Sequence, residues 1–195
     1  MNDTASALRA ATRRCIARDG LAATTSRRIT AEAGANLGAI TYHFDSKDRL
    51  VAEALLEGFR ELLAPVVDLL QDTDGDPAVR TAAIVRTLLD TLADRRDDAV
   101  AYLQALAHTP VAADLQRGIT ELWAELRDRI AADMASLQDD GAIAAWVEPP
   151  AMAVTFVAVA NGLLIQAVVD PDGPAVNEAA AQFAGLLLAA TSSSS

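Results

Sequence analysis

Residues 24–47 have the sequence TTSRRITAEAGANLGAITYHFDSK, and this stretch decides the fold. Its pattern predicts a short helix over residues 26–33, a turn at Gly34, a second short helix over residues 37–44, and a further helix that begins after Ser46. Glycine suits such a turn because it has no Cβ atom and adopts left-handed backbone angles without a steric cost. Two short helices joined in this way form a helix-turn-helix.

Charge is distributed unevenly along the 195 residues, whose formal net charge is −11. Residues 1–50 carry eight Lys or Arg side chains against five Asp or Glu, a net charge of +3. The remaining residues carry eight against twenty-two, a net charge of −14. This asymmetry excludes a protein that coats nucleic acid with its whole surface, and it indicates that only the N-terminal part meets phosphates.

Cysteine content and hydropathy indicate the compartment. Cys15 is the only cysteine, so no disulfide forms within the chain, and a small buried side chain is its expected role. Residues 151–169 are long and apolar enough to be considered as a membrane span. Polar or small residues interrupt them, and acids flank them: Thr155, Asn161, Gly162 and Gln166 inside, and Glu148, Asp170 and Asp172 outside. We therefore expect a buried helix in a soluble cytoplasmic protein with no membrane contact.

Apolar residues recur at helical spacing along the rest of the chain, and the expected fold class is all-α. Helices are predicted over residues 6–19, from Ser46 to about residue 70, from Pro77 to about residue 93, over 100–107, from Thr109 to about residue 140, over 150–169 and over 176–190. Pro65 lacks a backbone N–H and clashes with the preceding turn, so a kink or break is predicted near residues 61–64.

The first fifty residues resemble the TetR family of bacterial transcriptional regulators. The resemblance rests on a combination of positions in chain order: Leu8, Ala11, Ile16, Gly20, Thr24-Thr25, Ile29, Ala33-Gly34, Tyr42-His43-Phe44 and Ser46-Lys47-Asp48. It implies a helix-turn-helix DNA-binding domain over 1–46 and a larger helical ligand-binding and dimerisation domain over 47–195. The rest of the chain resembles the family only in plan, and its last two apolar helices, 151–169 and 176–190, look like the pair that forms a four-helix dimer interface.

By this resemblance, the second short helix is the one that enters the major groove. Its groove-facing positions are Asn36, Leu37, Gly38, Thr41 and Tyr42. Contacts to phosphates are expected from Tyr42, His43, Thr25, Ser26, Arg27 and Lys47. Gly38 and Ala39 are small, so base readout is expected to depend on Asn36, Thr41, DNA shape and dimer spacing. Each of these residues has a plain alternative role as a helix cap or a solvated surface group.

A small-molecule pocket is expected in the acidic part of the chain, lined by large or polar side chains on otherwise apolar helices. The candidates are Tyr102, Gln104, His108, Trp123, Trp146, Phe156 and Asn161, and core packing is the alternative role for each. The last two helices carry no Lys or Arg, which favours a neutral or cationic ligand. His43 and His108 lack metal-ligand spacing, and no nucleophile or nucleotide-binding motif is present. We therefore expect no metal, no cofactor and no enzymatic activity.

Together these features predict a homodimeric TetR-like repressor whose two helix-turn-helix domains bind the halves of a palindromic double-stranded DNA operator. The dimer would form through residues 151–169 and 176–190. A small-molecule effector would release the operator by favouring a conformer in which the two DNA-binding domains are wrongly spaced. Two alternatives stay open. One is a helical-bundle small-molecule-binding protein or enzyme whose N-terminal domain does not read DNA; the other is an activator, or a DNA-binding protein that has no effector.

Overall fold

The computed structural model describes residues 2–71, 77–108 and 112–170, together with the single positions 178, 182 and 185. Every regular element in these ranges is an α-helix, so the predicted all-α class is confirmed. The helices are α1 (Asn2–Asp19), α2 (Ser26–Ala33), α3 (Gly38–Phe44), α4 (Lys47–Gln71), α5 (Pro77–Asp94), α6 (Arg96–His108), α7 (Ala113–Asp139) and α8 (Pro149–Val169). The helix predicted over 176–190 lies outside the described residues apart from the single positions, and so does the predicted start of α7 at Thr109.

The helices form two compact units. The first contains Met1–Leu62 and Arg95–Glu121, and the second contains Leu63–Asp94 and Leu122–Ser195. Both α4 and α7 contribute residues to each unit. The domain boundary that the resemblance places between residues 46 and 47 stays a prediction, because the compact units are defined by packing and not by function.

An apolar core in the first unit holds α1, α2 and α3 together. Its buried members are Leu8, Ala11, Ile29, Ile40, Phe44 and Leu50. Full burial of a Leu, Ile or Phe side chain contributes about 1.5–3 kcal/mol, so this cluster accounts for a large part of the stability of the unit. Because α1 contacts both α2 and α3, the core fixes the geometry of the helix-turn-helix.

Local capping groups define where α2 and α4 begin and where α2 ends. The hydroxyl oxygen of Thr25 accepts a hydrogen bond from the backbone N–H of Arg28 at 3.3 Å, and that of Ser46 accepts one from Arg49 at 3.1 Å. Gly34 follows α2 with φ at 63°, in the left-handed region that glycine tolerates. The predicted helix-turn-helix is confirmed, with α2 and α3 as its two helices. α1 begins at Asn2, four residues earlier than the sequence pattern predicts.

The break that was one of the two outcomes predicted for Pro65 does not occur. α4 is one continuous helix of 25 residues that contains Pro65. A proline in a helix interior costs about 3 kcal/mol, because it removes one backbone hydrogen bond and its ring clashes with the preceding turn. Leu62 and Val66 on either side are buried, and their packing holds this part of the backbone in the helical conformation. A kink without a break stays a prediction.

The second unit contains α5, α8 and most of α7. Within it, α5 contacts α8. A buried cluster is formed by Met134, Ala144 and Val147, with Ile130, Ile143, Met152 and Phe156 packed against it. Gln138 holds the loop between α7 and α8, because its Nε2 donates to the carbonyls of Ala144 at 3.1 Å and Val147 at 3.0 Å.

α8 is apolar along its whole length, yet much of it is exposed among the described residues. An 18-residue stretch of this helix has a mean hydropathy of 2.0, so it meets the length and composition of a membrane span, but only 22% of that stretch is buried. The inward-facing residues are Ala153, Val157, Leu163 and Leu164, and the exposed large ones are Val154, Ile165 and Val169. The burial predicted for this helix is therefore incomplete here, because packing on one side covers only one face of a helix.

Candidate nucleic-acid interface

α3 has one face in the core and an opposite face that is exposed. Ile40 and Phe44 are buried, and the residues left exposed are Leu37, Gly38, Thr41 and Tyr42. Leu37 is 53% exposed and Tyr42 is 73% exposed, which are high values for large side chains with apolar surface. Residues 36–44 contain no Lys, Arg, Asp or Glu. A helix that projects in this way fits the major groove of B-DNA, which is about 12 Å wide.

Asn36 caps the start of α3. Its Oδ1 accepts a hydrogen bond from the backbone N–H of Ala39 at 3.0 Å. A Cβ atom at position 38 would lie 3.3 Å from that Oδ1, so Gly38 gives the cap the room it needs. An Asn side chain reads adenine with both the oxygen and the nitrogen of its amide. In this structure the oxygen is already engaged, and the Nδ2 group is left as a donor.

Tyr42 and His43 form an edge-to-face aromatic pair near the C-terminal end of α3. Their ring centroids are 4.8 Å apart and their planes differ by 86°. The ring of the half-buried His43 also lies 6.2 Å from that of Phe44, which is in the core. The core therefore orients His43, and His43 in turn supports the exposed ring of Tyr42, at the end of the helix where phosphate contacts are predicted.

Lys47 is tied to the segment that precedes α2. Its Nζ donates a hydrogen bond to the backbone carbonyl of Thr24 at 3.2 Å. Thr24 is itself buried, and its hydroxyl donates to the carbonyl of Gly20 at 2.9 Å. These two bonds hold the residue next to the Thr25 cap in place, so Lys47 has a structural role that its sequence position did not indicate.

Several arginines of the N-terminal part are engaged in ion pairs between α1 and α2. Glu32 lies 2.8 Å from Arg14 and 3.2 Å from Arg18, and Asp19 lies 3.1 Å from Arg18 and 3.2 Å from Arg28. Hydrogen bonds from Arg14 and then Arg18 hold the pKa of the Glu32 carboxyl below its usual range. A hydrogen bond from Arg18 does the same for the pKa of Asp19.

The remaining cations divide into paired and unpaired side chains. Arg49 lies 2.7 Å from Asp45 and 3.2 Å from Glu53, while the other paired ones are Arg9 and Arg13, both on Glu57. Within the described chain, the side chain of Arg27 has no hydrogen bond or ion pair, and Lys47 has no carboxylate partner. The net charge of +3 on residues 1–50 therefore does not show which of their cations are available to DNA phosphates. Among these residues, the structure indicates Arg27 and Lys47.

The predicted ligand residues on α6 belong to the first unit. Tyr102 is buried and stacks on Phe59, with ring centroids 3.8 Å apart and planes 5° from parallel. The Oε1 of Gln104 accepts a hydrogen bond from the backbone N–H of Leu21 at 2.8 Å. Both residues thus have packing or hydrogen-bonding roles in this unit, which is the alternative that the sequence left open for them.

His108, at the end of α6, lines an open cavity in the first unit. The cavity has a volume of ≈ 380 Å³, and its other lining residues are Leu21, Ala22, Lys47, Asp48, Val51, Ala52 and residues 112–115. Sequence reasoning missed this cavity because its walls come from three stretches that are distant along the chain: residues 21–22, residues 47–52, and His108 with residues 112–115. No periodicity or spacing signal connects them.

The other predicted ligand residues lie in the second unit. Phe156 packs against the cluster around Met134, and the Nδ2 of Asn161 donates to the carbonyl of Val157 at 3.0 Å. Trp123 is half-buried, whereas Trp146 is 68% exposed. The candidate set is thus divided between two units, and a single pocket formed by all of it stays a prediction. In the described ranges, no three His, Cys, Asp or Glu side chains are grouped as a metal site would require.

Two protein-family models match the chain. Residues 8–54 match the bacterial regulatory proteins of the tetR family. Residues 77–190 match the C-terminal domain of BetI-type transcriptional repressors, and this match alone covers more than half of the chain. No curated protein sequence matches the chain significantly.

Solved structures with the same fold cover nearly the whole chain. A TetR transcription regulator from Haloarcula marismortui ATCC 43049 is 25% identical, with a TM-score of 0.79 over 97% of this chain and 98% of that one. A protein from Pseudomonas aeruginosa PAO1 described as a transcriptional regulator is 23% identical, with a TM-score of 0.80 over 95% and 88%. One from Saccharomonospora viridis, solved in complex with choline, is 22% identical, with a TM-score of 0.79 over 97% of each chain.

Proposed function

The chain belongs to the TetR family of transcriptional regulators, and from this premise we propose that it is a homodimeric repressor of a palindromic operator, released by a small molecule. DNA binding and transcriptional regulation follow from the family itself. The structural observation that supports DNA reading is the exposed face of α3, a helix packed on the core, together with Arg27 and Lys47, which have no carboxylate partner in the described part of the chain.

In the proposed complex, α3 lies in the major groove and the N-terminal ends of α2 and α4 meet the phosphates on either side. The residues that face bases are Asn36, Leu37, Gly38, Thr41 and Tyr42. The residues that hold phosphates are Thr25, Ser26, Arg27, His43 and Lys47, with Tyr42 reaching the backbone as well. Phosphate contacts set the register of the protein on DNA, and base contacts set its sequence preference.

The dimer would use the exposed face of α8 together with residues 176–190. Val154, Ile165 and Val169 are exposed on a helix that carries no charged side chain, so a second copy of the chain would cover surface that water otherwise contacts. Two such DNA-binding domains related by two-fold symmetry would bind two half-sites about one helical turn or a little more apart, in successive major grooves.

The proposed effector is a small neutral or cationic molecule. Residues 51–195 are strongly acidic, and α8 carries no Lys or Arg. The similar Saccharomonospora viridis structure holds choline, a cation, which fits this charge argument. The candidate contacts are Tyr102, Gln104, His108, Trp123, Trp146, Phe156 and Asn161, of which Trp146 is the most exposed. Binding would shift the population toward a conformer in which the two DNA-binding domains are wrongly spaced. α4 is the helix that would transmit the change to the DNA-binding domain.

In the proposed role the protein is cytoplasmic, binds DNA and does not bind a membrane. They give it no enzymatic role, no metal and no cofactor. The competing function is a helical small-molecule-binding protein or enzyme whose N-terminal domain has lost DNA reading.

The test of DNA reading is selection of a binding sequence from a random duplex library by the full-length protein, followed by measurement of the mass of the complex in solution. The expected result is a palindromic sequence bound by two copies of the chain. If the protein is folded and the selection enriches no sequence, the repressor assignment is rejected and the competing function is supported.

The test of the effector uses choline, imidazole and acetate as probes of charge. We expect the operator affinity to fall in the presence of choline, a cation, or imidazole, which is part neutral and part cationic near neutral pH, and to stay unchanged with acetate, an anion. Fluorescence of the variants W123F and W146F, compared with the unaltered chain, locates the probe at one tryptophan or the other. Release by acetate alone would contradict the charge argument.

A further inference from the structure

We propose that α3 reads thymine methyl groups, with Leu37 and the methyl of Thr41 as the contacting surface. The inference rests on the proposed function and adds to it the chemical identity of the bases that are read. It predicts a thymine in each half-site opposite Leu37, and a second one opposite Thr41.

The two residues are neighbours on one exposed surface. Leu37 has helical backbone angles (φ −63°, ψ −33°), and Thr41 follows it by four residues, so their side chains lie one above the other on the same face. Both are exposed, and Leu37 keeps about half of its surface in water. Gly38 adds no side chain to this face, which lets the apolar strip approach a base pair closely.

The charged groups that recognise guanine and cytosine are missing from this face. Guanine is most often read by Arg or Lys, and cytosine by Glu or Asp, and residues 36–44 contain none of these. Adenine is read by both atoms of an amide, and the Oδ1 of Asn36 is engaged with the N–H of Ala39 at 3.0 Å. The 5-methyl of thymine is the base-edge group in the major groove that an apolar side chain can recognise.

Thr41 contributes through its methyl and its hydroxyl. Its hydroxyl makes no hydrogen bond to any described part of the chain, so it is available to a base edge or a water molecule. The methyl lies beside Leu37 on the same face. Removal of one buried methyl group from such a contact weakens binding about fourfold.

The experiment uses the operator obtained by selection and the unaltered full-length protein. Each thymine is replaced in turn by uracil, which removes only the 5-methyl group, and the Kd of each duplex is measured. We expect about a fourfold loss at two positions of each half-site and no change at the others.

Variants then assign each position to a side chain. L37A should bind the all-thymine operator more weakly and lose its sensitivity to uracil at one position. T41S, which keeps the hydroxyl and removes the methyl, should lose the sensitivity at the other position, while T41V should keep it. R27A is the matched control: it should weaken all duplexes alike and keep both uracil effects.

The outcomes separate this inference from the proposed function. A selected operator that binds with the same Kd after every uracil substitution overturns methyl readout and leaves the repressor assignment intact. A uracil effect that persists unchanged in L37A and T41S also overturns it. Failure to select any operator rejects the repressor and this inference together.

Discussion

The side-chain ammonium of Lys47 donates a hydrogen bond to the backbone carbonyl of Thr24 at 3.2 Å. Lys47 begins α4, and Thr24 precedes the residue that caps α2, so one bond connects the starts of two helices. Lys47 is also the only lysine in the sequence. An ammonium group has three donors, so two are left for a DNA phosphate. The same side chain can therefore position α2 and neutralise DNA charge.

Replacing Lys47 by Ala should weaken binding to all DNA sequences about tenfold, because one charge-assisted hydrogen bond to a phosphate is lost. The slope of log Kd against log salt concentration should become shallower by about 1. Titration of operator and non-operator duplexes at several salt concentrations measures both effects.

Two controls follow from the same residue. Lys47→Arg should keep most of the salt dependence, since the charge is retained. Lys47 carries the only side-chain amine in the chain, so reductive methylation read at this residue by peptide mass analysis, separately from any α-amino group, reports on Lys47, and operator DNA should slow it. Equal labelling rates with and without operator would remove Lys47 from the interface.

Replacing Asp45 by Gly should raise the free energy of unfolding by about 1 kcal/mol. Asp45 is a non-glycine residue with φ at 63°, a region in which a Cβ atom is strained. The change also removes the ion pair with Arg49, but both partners are exposed and such pairs contribute little. Asp45→Ala is the matched control, since it removes the same pair and keeps the strain. Equal unfolding curves for the two variants would show that the backbone angle stores no strain.

Replacing Tyr102 by Ala should lower the free energy of unfolding by about 3 kcal/mol, since a buried ring stacked on Phe59 is lost. Tyr102→Phe keeps the stack and should cost much less. Chemical denaturation of the free protein measures both. A Tyr102→Ala variant with unchanged stability but weakened effector binding would place Tyr102 in the ligand pocket instead of the core.

Acid should loosen the contact between α1 and α2 through Glu32. Its pKa is lowered by hydrogen bonds from Arg14 and Arg18, so the folded state binds fewer protons than the unfolded chain. This stabilisation is fully present above the ordinary glutamate pKa of about 4.3 and is lost as the pH falls through the lower folded-state value.

The melting temperature, measured from about pH 5 to about pH 3, should therefore fall more steeply for the unaltered protein than for Glu32→Gln. The two curves should approach each other at the acid end, and about 1 M salt should reduce their separation at neutral pH, because the group is exposed. Parallel curves over the whole range would mean that the ion pairs around Glu32 do not contribute to folding.

Short-range features were predictable from the sequence because they depend on neighbouring residues. The turn at Gly34, the caps at Thr25 and Ser46, and the inward positions of Ile40 and Phe44 all follow from spacing and backbone preference. The family resemblance came from the first fifty residues, which include these positions. The continuity of α4 through Pro65 was not predictable, since burial on either side of the proline offsets the lost hydrogen bond and the clash of the ring.

The sequence by itself determined the helix-turn-helix, the all-α class and the asymmetry of charge, because local periodicity and composition carry them. Only the tertiary structure decided which side chains are available at the interface. It engages the amide oxygen of Asn36 in a cap, places Arg14 and Arg18 on Glu32, and leaves Arg27 without an ion pair to any described residue. It also ties Lys47 to Thr24, 23 residues away along the chain. The physical reason is that hydrogen bonds and ion pairs between distant residues depend on how the helices pack, and no spacing rule encodes that packing.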